Sequence, residues 1–333
     1  MNRFEKGALG VMGMMVAAVV GVSLLTPVDR ATAAPRADLA ELKASLQRAA
    51  LQPVVLPPKP ILHGGLQALS TLHRRDTTAK RLSAAFREIG YDFQRVMAGQ
   101  HAVPRLFLPT LPRDMAKIRE SKTRKAVFFQ SILPLVLQVN EEIRAERRRL
   151  WRLRYEQATG GTIDAVDQLW LIALAEKYRV KRGDVTTLLK RVDIIPPSLA
   201  LAQAAEESGW GTSRFVREGN AVFGQWTWAK SGGIVPRERE EGKTHKVRRF
   251  ETLMDSVRAY ARNLNTHPAY KALRARRADM RHAGDPVDGL NLAESLDRYS
   301  ERGPAYVETL RSIISHNDLL RLDDARLQSD RVI

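Results

Sequence analysis

Apolar residues recur at helical spacing through the middle of the chain. Between residues 113 and 155 they fall at helical spacing, at Phe128, Ile132, Leu135, Val136, Val139 and Ile143. Side chains with this spacing share one face of an α-helix, so the pattern predicts a buried stripe. Pro134 lies inside the stretch, and we expect it to kink the helix or to start a second one.

The rest of the chain also has mainly helical patterns. We expect helices over residues 163–178, 184–191, 196–210, 252–264, 268–278, 286–296 and 304–316. Proline stands at the first position of several of them, which is where helices tolerate it best. Aromatic and alternating residues between 223 and 250 predict a small β-hairpin. The predicted fold class is therefore mainly α (α+β), a helical domain with a small β-hairpin lobe, preceded by additional N-terminal helices.

The N-terminus has the features of an export signal. Arg3 and Lys6 precede an uncharged, mostly apolar run over residues 7–25, and Ala31 and Ala33 form an A-x-A site. A basic region, an apolar region and small residues in this order predict a secretory signal peptide over residues 1–33. The apolar run is long, so an uncleaved inner-membrane anchor is the alternative. Either way we expect the protein to be periplasmic or to face the periplasm.

Charge and composition narrow the classes of partner and site. The formal net charge is +17, which favours an anionic partner. Export makes intracellular nucleic acid an unsuitable partner, so cell-wall polymer and an anionic membrane surface remain. The absence of cysteine excludes disulfides, Cys-ligated metals and a Cys nucleophile, and the histidines show no metal-ligand spacing. We therefore expect no metal and no cofactor.

Composition shifts suggest boundaries along the chain. After the signal peptide, residues 34–100 are weakly patterned and proline-rich, which predicts a linker or loosely attached arm. We expect residues 101–160 to form an N-terminal helical region that packs on a main domain over residues 161–321, with residues 322–333 as a tail. Three prolines in residues 103–112 predict an extended segment. The basic run over residues 144–154 is interpreted as a solvated helix face, with an anionic contact as the alternative.

A pair of glutamates stands at the end of an apolar helix. Glu206 and Glu207 are followed directly by Ser208, Gly209, Trp210 and Gly211. A Trp beside a carboxyl group can desolvate it and raise its pKa, as a general acid at neutral pH requires. Adjacent residues lie about 100° apart around a helix, so only one of the two can point into a cleft. Local pattern does not choose between them, and a helix end with two solvated glutamates explains the segment about equally well.

A longer run of residues extends this motif. In order, the chain supplies Pro197, Ser198, Ala202, Gln203, Ala204, Glu207, Ser208, Gly209, Trp210, Gly211, Ser213, Asn220, Phe223 and Gly224. This run resembles the start of the glucosaminidase domain of glycoside hydrolase family 73. Residues 103–112 and 123–143 further resemble the Bax-like glucosaminidases. The resemblance implies a lysozyme-like helical fold and hydrolysis of the β-1,4 bond after N-acetylglucosamine in peptidoglycan.

The resemblance also implies roles for particular residues. It makes Glu207 the catalytic acid, and it matches the family's second carboxylate to Glu238, although Glu240 and Glu241 compete for that place. Tyr306 matches the family tyrosine. The substrate-binding residues that it suggests are Ser208, Trp210, Asn220, Phe223, Gly224 and Trp226. Trp226 and Trp228 can stack on sugar faces, although packing within a hairpin explains them about equally well.

Several alternatives stay open at this point. The distance between the two carboxylates decides between inversion, retention and participation of the substrate's acetamido group, and the sequence does not give it. A lytic transglycosylase would use the same single glutamate without incorporating water. A non-catalytic protein that binds or scaffolds the cell wall is the third alternative.

Overall fold

In the part of the chain that the structure describes, most helices begin at a polar residue whose side chain caps the first turn. The structure is a computed structural model that describes residues 77–229, 231–236 and 244–329, all within one compact unit that extends over residues 57–333. Among these helices, Asp164 and Asp184 each accept a hydrogen bond from a backbone N–H two or three residues into the helix. Thr252 forms a capping box with Asp255. Such caps satisfy N–H groups that have no partner inside the helix.

The helices and strands follow one another in a largely helical order. The helices are α1 Ala79–Glu88, α2 Phe93–Met97, α3 Ser121–Ala158, α4 Ala165–Lys177, α5 Val185–Arg191, α6 Pro197–Ser208, α7 Arg214–Gly219, α8 Leu253–Thr266, α9 Lys271–Ala283, α10 Gly289–Ala293 and α11 Pro304–His316. The strands are β1 Trp226–Thr227, β2 Gly233–Ile234 and β3 Lys246–Arg248. Short 3₁₀ turns lie at Met115–Lys117, Pro268–Tyr270 and Leu319–Leu322.

The long helix α3 and the buried helix α6 form the centre of the domain. α3 packs against both α6 and α8, and α6 also contacts α10, α11 and the turn Leu319–Leu322. Phe128, Ile132 and Leu135 on the predicted stripe are fully buried. α3 runs through Pro134 as one helix, so the alternative in which Pro134 starts a second helix is wrong.

The small sheet has its third strand in the middle. β3 pairs antiparallel with both β1 and β2, and Val247 lies opposite Trp226 on one side and Ile234 on the other. The predicted hairpin is thus a three-stranded antiparallel sheet. Together, the helices and this lobe confirm the predicted mainly helical, lysozyme-like fold class.

The interpretation of residues 34–100 as a loose arm does not hold for α1 and α2. Leu82 and Phe86 of α1 are each 1% exposed and belong to the common core. Their spacing, with Ala85, is helical, but the helix is only ten residues long and follows a proline-rich stretch. The sequence therefore contained a helical pattern at α1, but the pattern was short. Residues 34–76 lie outside the described part of the chain.

Two non-helical segments pair with each other at the edge of the core. Residues 103–112 contain no helix, as predicted, and Val103 forms a parallel bridge with Leu327. Leu322 and Leu327 are buried, so the described part of the predicted tail 322–333 is integrated into the domain. The proline-rich segment thus packs on the core without forming a helix, and the C-terminal residues pair with it.

The basic run over residues 144–154 is less solvated than predicted. Arg147 donates hydrogen bonds to the carbonyl oxygens of Leu189 and Val192 and pairs with Asp193 at 3.6 Å. Arg149 pairs with Asp167. The periodicity of this helix turns several arginines toward neighbouring elements, where they bind carbonyls and carboxylates.

Among the described residues, no helix combines the length and apolar character needed to cross a bilayer.

Candidate active site

Glu207 lies in the last turn of α6. This helix is buried along almost its whole length, and Gly209 ends it with a φ of 56°. That left-handed conformation costs least at glycine, and it lets the N–H of Trp210 reach the carbonyl of Ala205 at 2.9 Å. The helix end therefore presents a carboxyl group beside a tightly turned loop.

The turn after Glu207 packs against α3. A Cβ atom on Gly211 would lie 2.8 Å from Cδ1 of Leu111, so no larger residue fits without displacing it. The ring of Trp210 meets the rings of Phe128 and Phe129 edge-on, with centroids 6.0 and 5.3 Å away. We expected Trp210 to shield the carboxyl group, but its ring is directed toward α3. The small residues of this motif therefore allow the turn after α6 to pack closely against α3.

The two carboxylate oxygens of Glu207 have different surroundings. The hydroxyl of Tyr306, from α11, donates a hydrogen bond to Oε1 at 2.8 Å. On the other side, a Cβ atom built on Gly224 would lie 3.2 Å from Oε2. The glycine, whose φ is 57°, therefore keeps a side chain away from Oε2. Oε1 therefore accepts a hydrogen bond from a buried residue, whereas Oε2 lies beside the backbone of a glycine.

Tyr306 is itself held by two buried residues. The amide nitrogen of Gln203 donates to its hydroxyl oxygen at 3.0 Å. The hydroxyl of Tyr260, from α8, donates to the amide oxygen of Gln203 at 2.7 Å. All three side chains are at most 1% exposed. A continuous chain of hydrogen bonds thus joins α8, α6 and α11 and ends on Glu207.

Burial raises the pKa of Glu207 to about 7. The hydrogen bond from Tyr306 and the charge of Arg302 act in the opposite direction, whereas the charge of Glu206 raises the pKa further. Removing water from a carboxyl group disfavours its charged form, and here that effect exceeds the opposing ones. A pKa raised into the neutral range lets Glu207 hold a proton where an exposed glutamate is ionised, the condition that suits a general acid.

Aromatic rings surround this carboxyl group. Tyr299 stacks on Tyr306 with centroids 5.4 Å apart, and Tyr270 follows at 5.7 Å from Tyr299. Phe223 stacks on Tyr260 at 3.8 Å. Among these tyrosines, Tyr306 alone was predicted from the sequence. A tyrosine on the buried face of α8 needs a polar partner for its hydroxyl, and that requirement was the available signal for Tyr260.

Glu206 has a different environment from its neighbour. Its carboxylate pairs with Arg302, and a quarter of its side chain is exposed. Arg302 also donates to Thr309 at 2.8 Å. Of the two adjacent glutamates, Glu207 is the one that accepts a hydrogen bond from a buried tyrosine, so the structure separates residues that the local pattern left equivalent.

Three other residues of the motif have their side chains inside the protein. Ser208 is fully buried, and its hydroxyl accepts from the N–H of Gly211 at 2.9 Å. Asn220 ends α7 with a φ of 52° and donates to the carbonyl of Glu251 at 3.0 Å. Phe223 is 2% exposed. In this structure these residues hold the loops around Glu207 in place, and their predicted contacts with substrate stay predictions.

The β-lobe presents exposed aromatic surface. Trp226 is 51% exposed and stacks on the ring of His245, with centroids 4.2 Å apart. Trp228 is 68% exposed and meets Trp226 edge-on at 6.4 Å. Flat apolar rings open to solvent fit the predicted role in stacking on sugars.

The predicted second carboxylate is not part of this geometry. Glu238 and its competitors Glu240 and Glu241 lie outside the described residues, which stop at residue 236 and resume at residue 244. The described site therefore consists of one carboxyl group, its tyrosine donor and the residues behind them.

Comparison with known proteins identifies the family of the chain. Residues 183–319 match the family model of mannosyl-glycoprotein endo-beta-N-acetylglucosaminidase. Protein bax of Escherichia coli (strain K12) is 34% identical over 213 residues, which cover 62% of this chain and 74% of that protein. No solved structure matches the chain significantly. A glucosaminidase-family domain supports a glycan hydrolase in general, and it includes α6, the β-lobe and α11. The chain belongs to the Bax-like glucosaminidase family.

Proposed function

We propose that the chain is a peptidoglycan hydrolase that cleaves the β-1,4 glycosidic bond after N-acetylglucosamine, with Glu207 as the general acid. The observation that carries this proposal is the half-buried carboxyl group of Glu207, whose pKa burial raises to about 7. A carboxyl group in this state can donate a proton under conditions in which an exposed glutamate is ionised. Family membership supports a glycan as the substrate.

The proposed reaction begins with proton transfer. Glu207 gives its proton to the glycosidic oxygen while the bond from that oxygen to the sugar's anomeric carbon breaks. The oxygen of a water molecule then bonds to the anomeric carbon and leaves a reducing end, while the proton that the water loses passes to a carboxylate of the site. The hydrogen bond from Tyr306 stabilises the carboxylate that remains on Glu207. We assign the second carboxylate to Glu238, with Glu240 and Glu241 as alternatives, and the anomer of the first product distinguishes inversion from retention.

Other features of the chain support a cell-wall substrate. The net charge of +17 suits a polymer that carries peptide carboxylates and, beside it, an anionic membrane surface. The exposed rings of Trp226 and Trp228 offer stacking surfaces for sugars. We further propose export to the periplasm with removal of residues 1–33. N-terminal sequencing of the extracted protein then begins near Ala34, and recovery with Met1 in the cytosol contradicts export.

Exchange of Glu207 tests the assignment of the acid. Glu207→Gln keeps the size of the side chain but removes the proton that is transferred. General acid catalysis typically contributes ~10²–10⁴-fold, so we expect activity on purified peptidoglycan to fall at least about 100-fold. Binding of the variant to the same material, measured by co-sedimentation, is retained because the shape of the site is unchanged.

Glu206→Gln is the matched control, because it makes the same chemical change one residue away. Its ion pair with Arg302 is partly exposed, so we expect activity to stay within about twofold. An inactive Glu206→Gln combined with a fully active Glu207→Gln contradicts the assignment. Mass spectrometry of the products separates hydrolysis from transglycosylation, which leaves an anhydro-sugar end. A native protein that binds cell wall but cuts no preparation supports the scaffold alternative.

A further inference from the structure

The hydrogen-bond chain behind Glu207 has a fixed direction. Its members are Tyr260, Gln203 and Tyr306, and each is buried from solvent. A phenol has one proton to donate. Because the oxygen of Tyr306 accepts the N–H of Gln203, its own proton is directed to Oε1 of Glu207.

Tyr260 determines which way the amide of Gln203 faces. Its hydroxyl donates to the amide oxygen at 2.7 Å, so the amide nitrogen is turned toward Tyr306. With the amide reversed, its oxygen would face Tyr306 and accept the proton that now reaches Glu207. A buried amide takes the orientation that satisfies its neighbours, because an unpaired polar group in the interior costs about 1–3 kcal/mol.

This direction assigns different roles to the two oxygens of Glu207. Oε1 accepts from Tyr306, so in the protonated acid the proton lies on Oε2. Oε2 is the oxygen beside Gly224, where a Cβ atom would lie only 3.2 Å away, so this residue has no side chain that covers it. The proton is thus held on the oxygen that faces the glycine and not on the oxygen that faces Tyr306.

We propose that Tyr260 and Gln203 are positioning residues that act through Tyr306 to keep the proton of Glu207 on Oε2, the atom that delivers it to the glycosidic oxygen. This inference rests on the proposed role of Glu207 as the acid. When Oε2 loses its proton, the negative charge on the carboxylate is shared with Oε1, where the hydrogen bond from Tyr306 becomes charge-assisted and stronger. The hydrogen bonds that Tyr260 and Gln203 form behind Tyr306 therefore stabilise the transition state more than the ground state.

Several charged or titratable groups surround Glu207. Among the described residues, Tyr306, Glu206 and Arg302 act on the pKa of Glu207, and the charge of Glu207 in turn raises the pKa of Tyr260, Tyr270 and Tyr299. Any test must therefore compare variants that leave charge unchanged. Replacement of tyrosine by phenylalanine meets this condition because it removes one hydroxyl and keeps the ring.

Tyr260→Phe tests the inference. The titration midpoint of Glu207 is followed by ¹³C NMR of glutamate-labelled full-length protein, with the signal assigned by its loss in Glu207→Gln. We expect Tyr306→Phe to raise the midpoint by about one pH unit, since a hydrogen bond to a charged group is lost. Tyr260→Phe raises it by roughly half as much, because the amide can reverse and draw the proton of Tyr306 away. On soluble peptidoglycan fragments Tyr260→Phe lowers kcat about 3- to 10-fold with KM unchanged.

Two controls separate positioning from packing. Tyr299→Phe removes a hydroxyl from the ring that stacks on Tyr306, and the hydrogen bond of that hydroxyl to the carbonyl of Phe223 is long at 3.4 Å. We expect it to leave the midpoint of Glu207 in place. In the double variant Tyr260→Phe/Tyr306→Phe the midpoint equals that of Tyr306→Phe alone, because Tyr260 acts through Tyr306.

The results distinguish this inference from the proposed function. If Tyr260→Phe shifts the midpoint as expected but the native protein cleaves no glycan, the hydrogen-bond chain acts as inferred and the proposed function is wrong. If cleavage depends on Glu207 but Tyr260→Phe changes neither the midpoint nor kcat, the positioning role is wrong. Additive shifts in the double variant also overturn it.

Discussion

At the scale of single residues, environment rather than identity sets the chemistry of the site. Glu206 and Glu207 are neighbours with the same side chain. The first pairs with Arg302 near solvent, and the second lies among tyrosines with its pKa raised to about 7. A turn of about 100° along α6 is enough to give one carboxyl group a partly exposed ion pair and the other a hydrogen bond from a buried tyrosine.

The raised pKa of Glu207 predicts a cost in stability that a neutral substitute avoids. The folded protein binds this proton more tightly than the unfolded chain, whose pKa is near the ordinary 4.5. The stability contributed by Glu207 is therefore greatest below about pH 4.5 and falls as the pH rises through about 7. We expect Glu207→Gln to match the native protein near pH 4 and to exceed its free energy of unfolding by about 1–3 kcal/mol at pH 8.

Urea unfolding at a series of pH values measures this difference. Other groups that titrate in the same range, such as Asp323, are present in both proteins and cancel in the comparison. Two stability curves that run parallel from pH 4 to pH 8 contradict a raised pKa for Glu207.

At the scale of elements, the sequence predicts the bounds of those helices whose ends are set by a local signal, such as a capping residue or a proline. α5 and α11 have the predicted bounds because Asp184 caps the first and Pro304 begins the second. α4 begins at Ala165 instead of the predicted residue 163, because Asp164 caps its first turn. Glu207 was found through a motif with many residues in register. The hydrogen bond from Tyr260 to Gln203 was not predicted, because it joins helices that are far apart in sequence. Only the packing of these helices brings the two side chains together.

The N-terminus of α6 shows the same dependence on tertiary packing. Pro197 begins the helix, and the preceding residue offers no capping side chain. The carboxylate of Asp323, 125 residues away, accepts from both the N–H and the hydroxyl of Ser198 at 2.7 Å, and from the N–H of Gly289 at 3.2 Å. Burial raises the pKa of Asp323 to about 6 in spite of these bonds. A residue beyond α11 thus fixes the helix that carries Glu207.

Asp323→Ala removes this remote cap. Two backbone N–H groups lose a partner, so we expect the free energy of unfolding at pH 7 to fall by about 2 kcal/mol. Asp324→Ala is the matched control, since it makes the same change in charge at a fully exposed neighbour and costs less than about 0.5 kcal/mol. Urea midpoints of the two variants decide the point, and equal midpoints mean that Asp323 does not cap α6.

At the scale of the whole molecule, part of the positive charge is used inside the fold. Asp193 is 2% exposed and lies within 4 Å of Arg147, Arg277 and Arg281, which come from α3 and α9. Burial alone would raise the pKa of Asp193, but these three arginines hold it well below its usual range. Arg277 is itself fully buried and donates to the carbonyl of Ile194 at 2.7 Å. A basic composition therefore overstates the charge available to an anionic partner.

The same packing predicts that the glucosaminidase region does not fold without α3. Phe128, Ile132 and Leu135 are fully buried and belong to the same core as α6, and Gly211 beside the site is in contact with Phe128. Removing α3 exposes that apolar surface, and burial of a single such side chain stabilises by about 1.5–3 kcal/mol.

We expect a fragment of residues 161–333 to lack cooperative thermal unfolding and a near-UV circular dichroism signal. A fragment of residues 77–333 keeps both, together with its activity on peptidoglycan, because α1 supplies Leu82 and Phe86 to the common core. The longer fragment controls for the loss of residues 1–76. Cooperative unfolding of the shorter fragment at the melting temperature of the longer one would establish two independent domains, and α3 would then be an accessory to the fold that presents Glu207.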